Sequence, residues 1–298
     1  MNNEYAAHRA EAFGGPVADY LILTKPGIVG LVLVSTLAGV YLGGRGMVEL
    51  PLMLWTLAGV GLATAGSAML NNYIDRDIDR LMPRTSSRAL AAGTVRPALA
   101  LASGVALVAL SAALLALEVN VLTAALSAAA VFFYVVLYGM LMKRRTSWAN
   151  QVGCVAGALP PVLGYAAATG TVPLEAVALF ALVTFWQQPH ALSLALKYRD
   201  EYAAAGIPVV PVALGVSRTK TRIALYTALL LPLSIVPYLL GMTGTVYLLA
   251  ALPLGAFYLA LAVRFLASKR STDMFLFFYS IVYLTSVFTV MVADMRII

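Results

Sequence analysis

Nine stretches of roughly 20 mostly aliphatic and aromatic residues, separated by short polar breaks, run the length of the chain. They fall near 21–43, 51–72, 97–117, 121–142, 149–168, 174–196, 223–241, 245–265 and 274–293. About 20 apolar residues in an α-helix, rising 1.5 Å each, cross the hydrocarbon core of a bilayer. The pattern predicts an all-α integral membrane protein of nine transmembrane helices, folded as a single membrane-embedded domain over 1–298. The fifth and sixth spans are expected to be the least regular, because Pro160, Pro161 and Pro189 interrupt them.

The breaks are unequal. Glu118 to Asn120 and Met242 to Gly244 are tight, whereas 74–96 and 197–222 are long and charged, and each follows a span that ends in acids and bases. The long loops come four spans apart, which suggests a weak duplication of helices 1–4 as helices 5–8. Pro83 is expected to end the second helix and let the first long loop fold back.

Composition agrees with the pattern. Of 298 residues 61% are hydrophobic and 11% charged, and the mean hydropathy is +0.89, too apolar for an ordinary soluble domain. Nine crossings place alternate loops on opposite sides, and of the 20 Lys and Arg only Arg45 and Arg296 then fall on the second side. The basic side is the cytoplasm or its equivalent, so the N-terminal segment 1–20 is cytoplasmic and the C-terminus is outside. The net charge of +7 therefore belongs to one face, suited to anionic lipid or an anionic substrate, and nucleic acid is not implied. The lone Cys154 excludes an internal disulfide and a multi-cysteine metal site. Glu4, Glu11 and Asp19 are out of place in a signal or transit peptide, so no cleavage is expected.

The most informative residues stand where the second span ends. Asn71, Asp75 and Asp79 fall within roughly 80° on one helix face, while Asp77 points nearly the opposite way. As an interfacial salt-bridge belt, these acids would merely balance nearby arginines. Two carboxylates and an amide in register beside the hydrocarbon favour function instead, because acids at membrane depth are costly unless used. Such an oxygen set suits one or two hard cations, and Mg²⁺ typically completes its shell with water and phosphate oxygens. Arg80, Arg84 and Arg88 offer bidentate donors to a phosphate. The Lys143-Arg144-Arg145 cluster serves as an orientation anchor or a phosphate contact.

A second polar stripe runs down the sixth span, where Trp186, Ser193, Lys197 and Glu201 fall within about 60° of His190. Lys197 and Glu201 are spaced for an i,i+4 pair. Alternatively Lys197 and Arg199 grip phosphate while Asp200 and Glu201 help hold a second cation. His190, the only histidine in any span, is either a hydrogen-bonded core residue or a contact for something planar or acidic.

The Asn71, Asp75, Asp79 spacing resembles the first aspartate-rich motif of the UbiA-type intramembrane prenyltransferases. Thr24-Lys25-Pro26, Tyr73 to Arg80, Lys143 to Thr146, Gly157 with Pro160-Pro161, Trp186-Gln187 with Pro189-His190, and Lys197 to Pro208 are similar to the haem-farnesylating branch of that superfamily, the protohaem IX farnesyltransferases or haem O synthases. The match covers roughly the first 220 residues, and spans 7–9 agree in hydropathy alone. Where the wider superfamily has a second D-x-x-x-D motif, this chain reads Tyr198-Arg199-Asp200-Glu201-Tyr202, which weakens metal binding there.

The resemblance implies nine helices around a central cavity, with 74–96 and 197–222 as catalytic cytoplasmic loops. It implies farnesyl transfer from farnesyl diphosphate to a vinyl group of haem B, with water addition, giving haem O. Asn71, Asp75 and Asp79, joined by Asp200 and Glu201, would hold Mg²⁺ as the cofactor. Lys197 would act with them, and Arg80, Arg84, Arg88, Lys143, Arg199 and Lys25 would bind diphosphate. His190, Trp186, Gln187 and Tyr198 would face the haem. The partners implied are farnesyl diphosphate, haem B, the lipid bilayer and a downstream haem-modifying enzyme, and the location a bacterial plasma membrane or mitochondrial inner membrane. The rival within the fold is a prenyltransferase for another aromatic or tetrapyrrole acceptor. An ion or proton transporter would string ionisable groups across the bilayer, whereas here they gather at the inner ends of spans 2 and 6.

Overall fold

The computed structural model describes residues 16–296. Residues 1–15, most of the expected cytoplasmic N-terminal segment, lie outside the described residues. The chain forms α1 (Pro16–Leu23), α2 (Pro26–Gly43), α3 (Leu50–Asp79), α4 (Ala89–Ala92), α5 (Pro97–Glu118) and α6 (Val121–Val131), which runs on as a π-helical stretch, Phe132–Met142. Then come α7 (Ala149–Thr169), α8 (Leu174–Lys197), α9 (Arg199–Ala204), α10 (Val210–Ala213), α11 (Gly215–Leu233), α12 (Val236–Leu239), α13 (Thr245–Ala267) and α14 (Met274–Ala293).

Among the described residues, eight helical segments are long and apolar enough to cross a membrane. The expected sixth span, α8, is a continuous helix of 24 residues but falls short in hydropathy, because Gln187, Gln188, His190 and Lys197 interrupt its apolar character. This is an integral, multi-pass, all-helical protein.

Several boundaries differ from those the pattern predicts. The first span is split, since Lys25 adopts a left-handed backbone (φ 53°) between α1 and α2. The second runs on to Asp79, beyond the apolar stretch, so the acidic motif is a helix face rather than part of a loop. Arg80 caps α3, three residues before Pro83, so that proline does not end the helix. The segments 74–96 and 197–222 are not open loops: both hold short helices, and α11 starts at Gly215, taking Arg218, Lys220 and Arg222 into a span.

The prolines break nothing. Helices α7 and α8 pass through Pro160, Pro161 and Pro189. Two glycines explain how α7 is braced: a Cβ on Gly39 would stand 2.0 Å from the Pro161 carbonyl oxygen, and one on Gly164 would stand 2.0 Å from that of Thr36. Helices α2 and α7 thus meet backbone to backbone, the close approach that small residues permit in a membrane. The largest apolar core joins α7, α8, α11, α13 and α14 around Tyr247, Tyr258 and Tyr283. A smaller one pins α4 under α1 and α3 through Leu23, Met69 and Leu90.

A candidate prenyl-transfer site

The inner end of α3 carries Asn71, Asp75 and Asp79, only 4%, 1% and 2% exposed, so the shared face read from the sequence is turned inward. Burying carboxylates is costly unless cations answer them, and here three elements supply cations. Lys25 donates through Nζ to Asn71 Oδ1 at 3.0 Å, and Asn71 Nδ2 donates to Asp75 Oδ2 at 3.0 Å. Lys143, just past the π-helical stretch, pairs through Nζ with the same Asp75 oxygen. Arg88 donates from Nη1 to both Asp79 oxygens, at 3.0 and 2.8 Å.

Asp77 is exposed, with only a loose contact to Arg76, as its place on the opposite face predicts. Asp75 Oδ1 is buried without a hydrogen-bond partner, an oxygen left over for a ligand from outside the chain. Two carboxylates and an amide supply the oxygen donors a hard cation takes, with all but Asp75 Oδ1 engaged by Lys25, Lys143 and Arg88. No group of three or more His, Cys, Asp or Glu converges among the described residues, so Asp200 and Glu201 do not complete a metal cage with α3.

The second patch is less unified than its helical phase suggested. Tyr198 leaves helical geometry (φ −103°, ψ 22°), ending α8 and starting α9, so Lys197 and Glu201 do not share one helix and form no ion pair. Lys197, Arg199 and Asp200 are exposed, whereas Glu201 keeps a buried, unpartnered Oε2. Lys197 lies over the Tyr198 ring at 5.2 Å, and Arg84 reaches that ring from the α3–α4 connection at 4.6 Å. Ile78, Met82 and Ile207 pack beneath, so the two charged segments do meet. Arg80 turns away to donate from Nε to the Ala91 carbonyl at 2.9 Å.

The expected acceptor contacts lie deeper on α8. Gln187 donates to the Cys154 carbonyl at 3.1 Å, against Gly157 of α7. Trp186 and His190 pack on α14 beside Ser280 and Phe277. A cavity of about 190 Å³ opens beside the acids, lined by Tyr138, Lys143, Asn150, Ala191, Ala195 and Tyr202 among others. Tyr138, Asn150 and Tyr202 were not among the residues singled out for chemistry. Tyr138 and Tyr134, stacked at 5.8 Å, stand about one and two turns before Lys143, an aromatic pair at helical spacing that was the available signal.

Comparison with known proteins agrees with this fold. The UbiA prenyltransferase family model matches residues 32–287, and the chain belongs to that family of intramembrane prenyltransferases. A protoheme IX farnesyltransferase of Aquifex aeolicus (strain VF5) is 50% identical over 97% of this chain and 99% of its own. A solved structure of a digeranylgeranylglyceryl phosphate synthase shares the fold with a TM-score of 0.76 at 19% identity, covering 93% of this chain and 99% of that one. A UbiA homologue from Archaeoglobus fulgidus, bound to GPP and Mg²⁺, has a TM-score of 0.62 at 20% identity over 92% and 99%.

Proposed function

We propose that this chain transfers a farnesyl group from farnesyl diphosphate to a vinyl group of haem B and yields haem O. The observation that carries the reading is the buried basket in which Lys25, Lys143 and Arg88 surround Asp75 and Asp79, together with the close relatives named for this reaction. Two carboxylates against three cations leave an excess of positive charge where a diphosphate would lie.

The bond from the allylic carbon to diphosphate oxygen breaks, and the electron pair leaves with diphosphate. The vinyl π electrons then form the new carbon–carbon bond, and water adds to the cation left on the porphyrin side carbon and gives up a proton. Asp75 and Asp79, with Asn71, would hold Mg²⁺, which when bound supplies a Lewis acid and template for the leaving group. The orphaned Asp75 oxygen supports this assignment. Lys25, Lys143 and Arg88 hold diphosphate oxygens in place, with Arg84, Arg199 and Lys197 nearer the mouth. Fixed cations in a water-poor site lower the barrier to charge separation without reorganising. The hydrocarbon surroundings keep water from the allylic cation until the acceptor attacks.

The same reading takes α8 as a ninth crossing, with the N-terminus and the basic loops on the cytoplasmic side of a bacterial plasma membrane or mitochondrial inner membrane, and haem passing on to a modifying enzyme. His190, with Trp186, Gln187 and Tyr198, would contact the haem. Asp200 and Glu201 would assist a second cation only with movement of α9. The test is to incubate detergent-purified protein with farnesyl diphosphate, haem B and Mg²⁺ and weigh the pigment. A mass gain of one farnesyl group plus one hydroxyl group is expected, and unmodified haem would sink the assignment.

A further inference from the structure

Ser280 of α14 is fully buried and gathers three polar contacts, none of which touches the acidic basket. Trp186 donates from Nε1 to its carbonyl oxygen at 2.6 Å. Its own Oγ donates to the Phe277 carbonyl at 2.5 Å, and His190 Nδ1 lies 2.7 Å from that Oγ. A hydroxyl has a single proton to donate. With that proton directed to Phe277, Oγ accepts from His190, so Nδ1 carries the imidazole hydrogen. The neutral ring has one N–H, which leaves the lone pair on Nε2.

The ring has little else to present. Trp186 covers one face at 5.0 Å between centroids and Phe277 stacks on the ring at 4.5 Å. Nε2 makes no hydrogen bond among the described residues. An imidazole flanked by aromatic rings, with one nitrogen committed to a hydrogen bond and the other bare, has the arrangement of a metal ligand whose tautomer an outer partner fixes.

We propose that Ser280 is a positioning residue that holds His190 as the Nδ1–H tautomer and so offers the Nε2 lone pair to a Lewis-acidic centre in a planar acceptor, the iron of a tetrapyrrole. The proposal rests on the reading that His190 contacts haem, and adds the residue and tautomer through which it does so.

The chain has two histidines, His8 and His190, so a His8→Gln background leaves one imidazole for ring-nitrogen NMR in detergent. Without haem, that parent is expected to show a protonated Nδ1 and a bare Nε2. Ser280→Ala should move the proton, wholly or in part, to Nε2, and Ser280→Thr should keep it on Nδ1. Haem titration followed by absorbance should weaken about tenfold or more in Ser280→Ala and recover in Ser280→Thr, with the KM for farnesyl diphosphate unchanged. A proton on Nε2 in the parent, or an Nδ1–H form that survives Ser280→Ala, overturns the proposal. If the alanine variant fails to fold, Ser280→Cys, which keeps the volume but is a weak acceptor, carries the same test. Undiminished haem affinity in His190→Ala would instead overturn the haem reading and with it the use of Nε2, a result distinct from any change of tautomer.

Discussion

Asp75 illustrates how one buried carboxylate ties chemistry to stability. One of its oxygens is held by Asn71 and Lys143 and the other has no partner. Asp75→Asn keeps the shape and removes the charge, so haem O formation should fall by about a hundredfold or more, the scale of a lost electrostatic contributor to leaving-group departure, while the detergent melting curve still shows a folded protein. Lys143→Ala leaves that carboxylate buried with its main cation gone. It should cost on the order of 3 kcal/mol in unfolding free energy as well as activity. Asp77→Asn, on an exposed side chain, should leave both within error. Lys25 sits in the left-handed region, which costs a non-glycine residue roughly 1 kcal/mol or more. Lys25→Gly relieves that strain but orphans the buried Asn71 oxygen, at about 1–3 kcal/mol, so the melting temperature should stay level or fall slightly while farnesyl diphosphate binding, read by isothermal titration, weakens.

At the scale of elements, the contact of α2 with α7 is the least forgiving. Gly164→Ala puts a Cβ where the Thr36 carbonyl oxygen already stands, and since backbone cannot swing aside, about 1–3 kcal/mol of overpacking is expected in a thermal melt. The helices themselves were legible in the sequence, as was the common face of Asn71, Asp75 and Asp79, because a 3.6-residue period needs no knowledge of neighbours. The family resemblance named Lys25, Lys143 and Arg88 as diphosphate ligands, but their pairing with that face was not legible. Lys25 lies 46 residues away and Lys143 lies 68 from its partner, and periodicity within one helix says nothing of such pairings. The stripe assigned to α8 failed at Tyr198, where a one-residue departure from helical geometry removes the phase on which Glu201 depended. Ser280 was invisible for a related reason: serine in an apolar span has no pattern, and its meaning comes wholly from His190, 90 residues earlier.

For the whole molecule, the number of crossings decides which surfaces share a compartment. With α8 spanning, the α3–α4 connection and the α13–α14 connection face the same side; without it they face opposite sides. In a Cys154→Ser background, Ser86→Cys and Ser271→Cys, both exposed, should therefore label with an impermeant maleimide from one side of sealed vesicles. Labelling from opposite sides would rule out nine spans. The backbone contact between α2 and α7 has a bearing on how substrates come and go. Glycines that leave room for no side chain between the two backbones make this the tightest helix contact among the described residues, with no gap between α2 and α7 for a rigid, flat ring. The segments around α4 and α9 are joined by far less, chiefly Ile78, Met82 and Ile207. If haem is the acceptor, as proposed, that seam beside the charged basket is where its passage is expected to require least rearrangement.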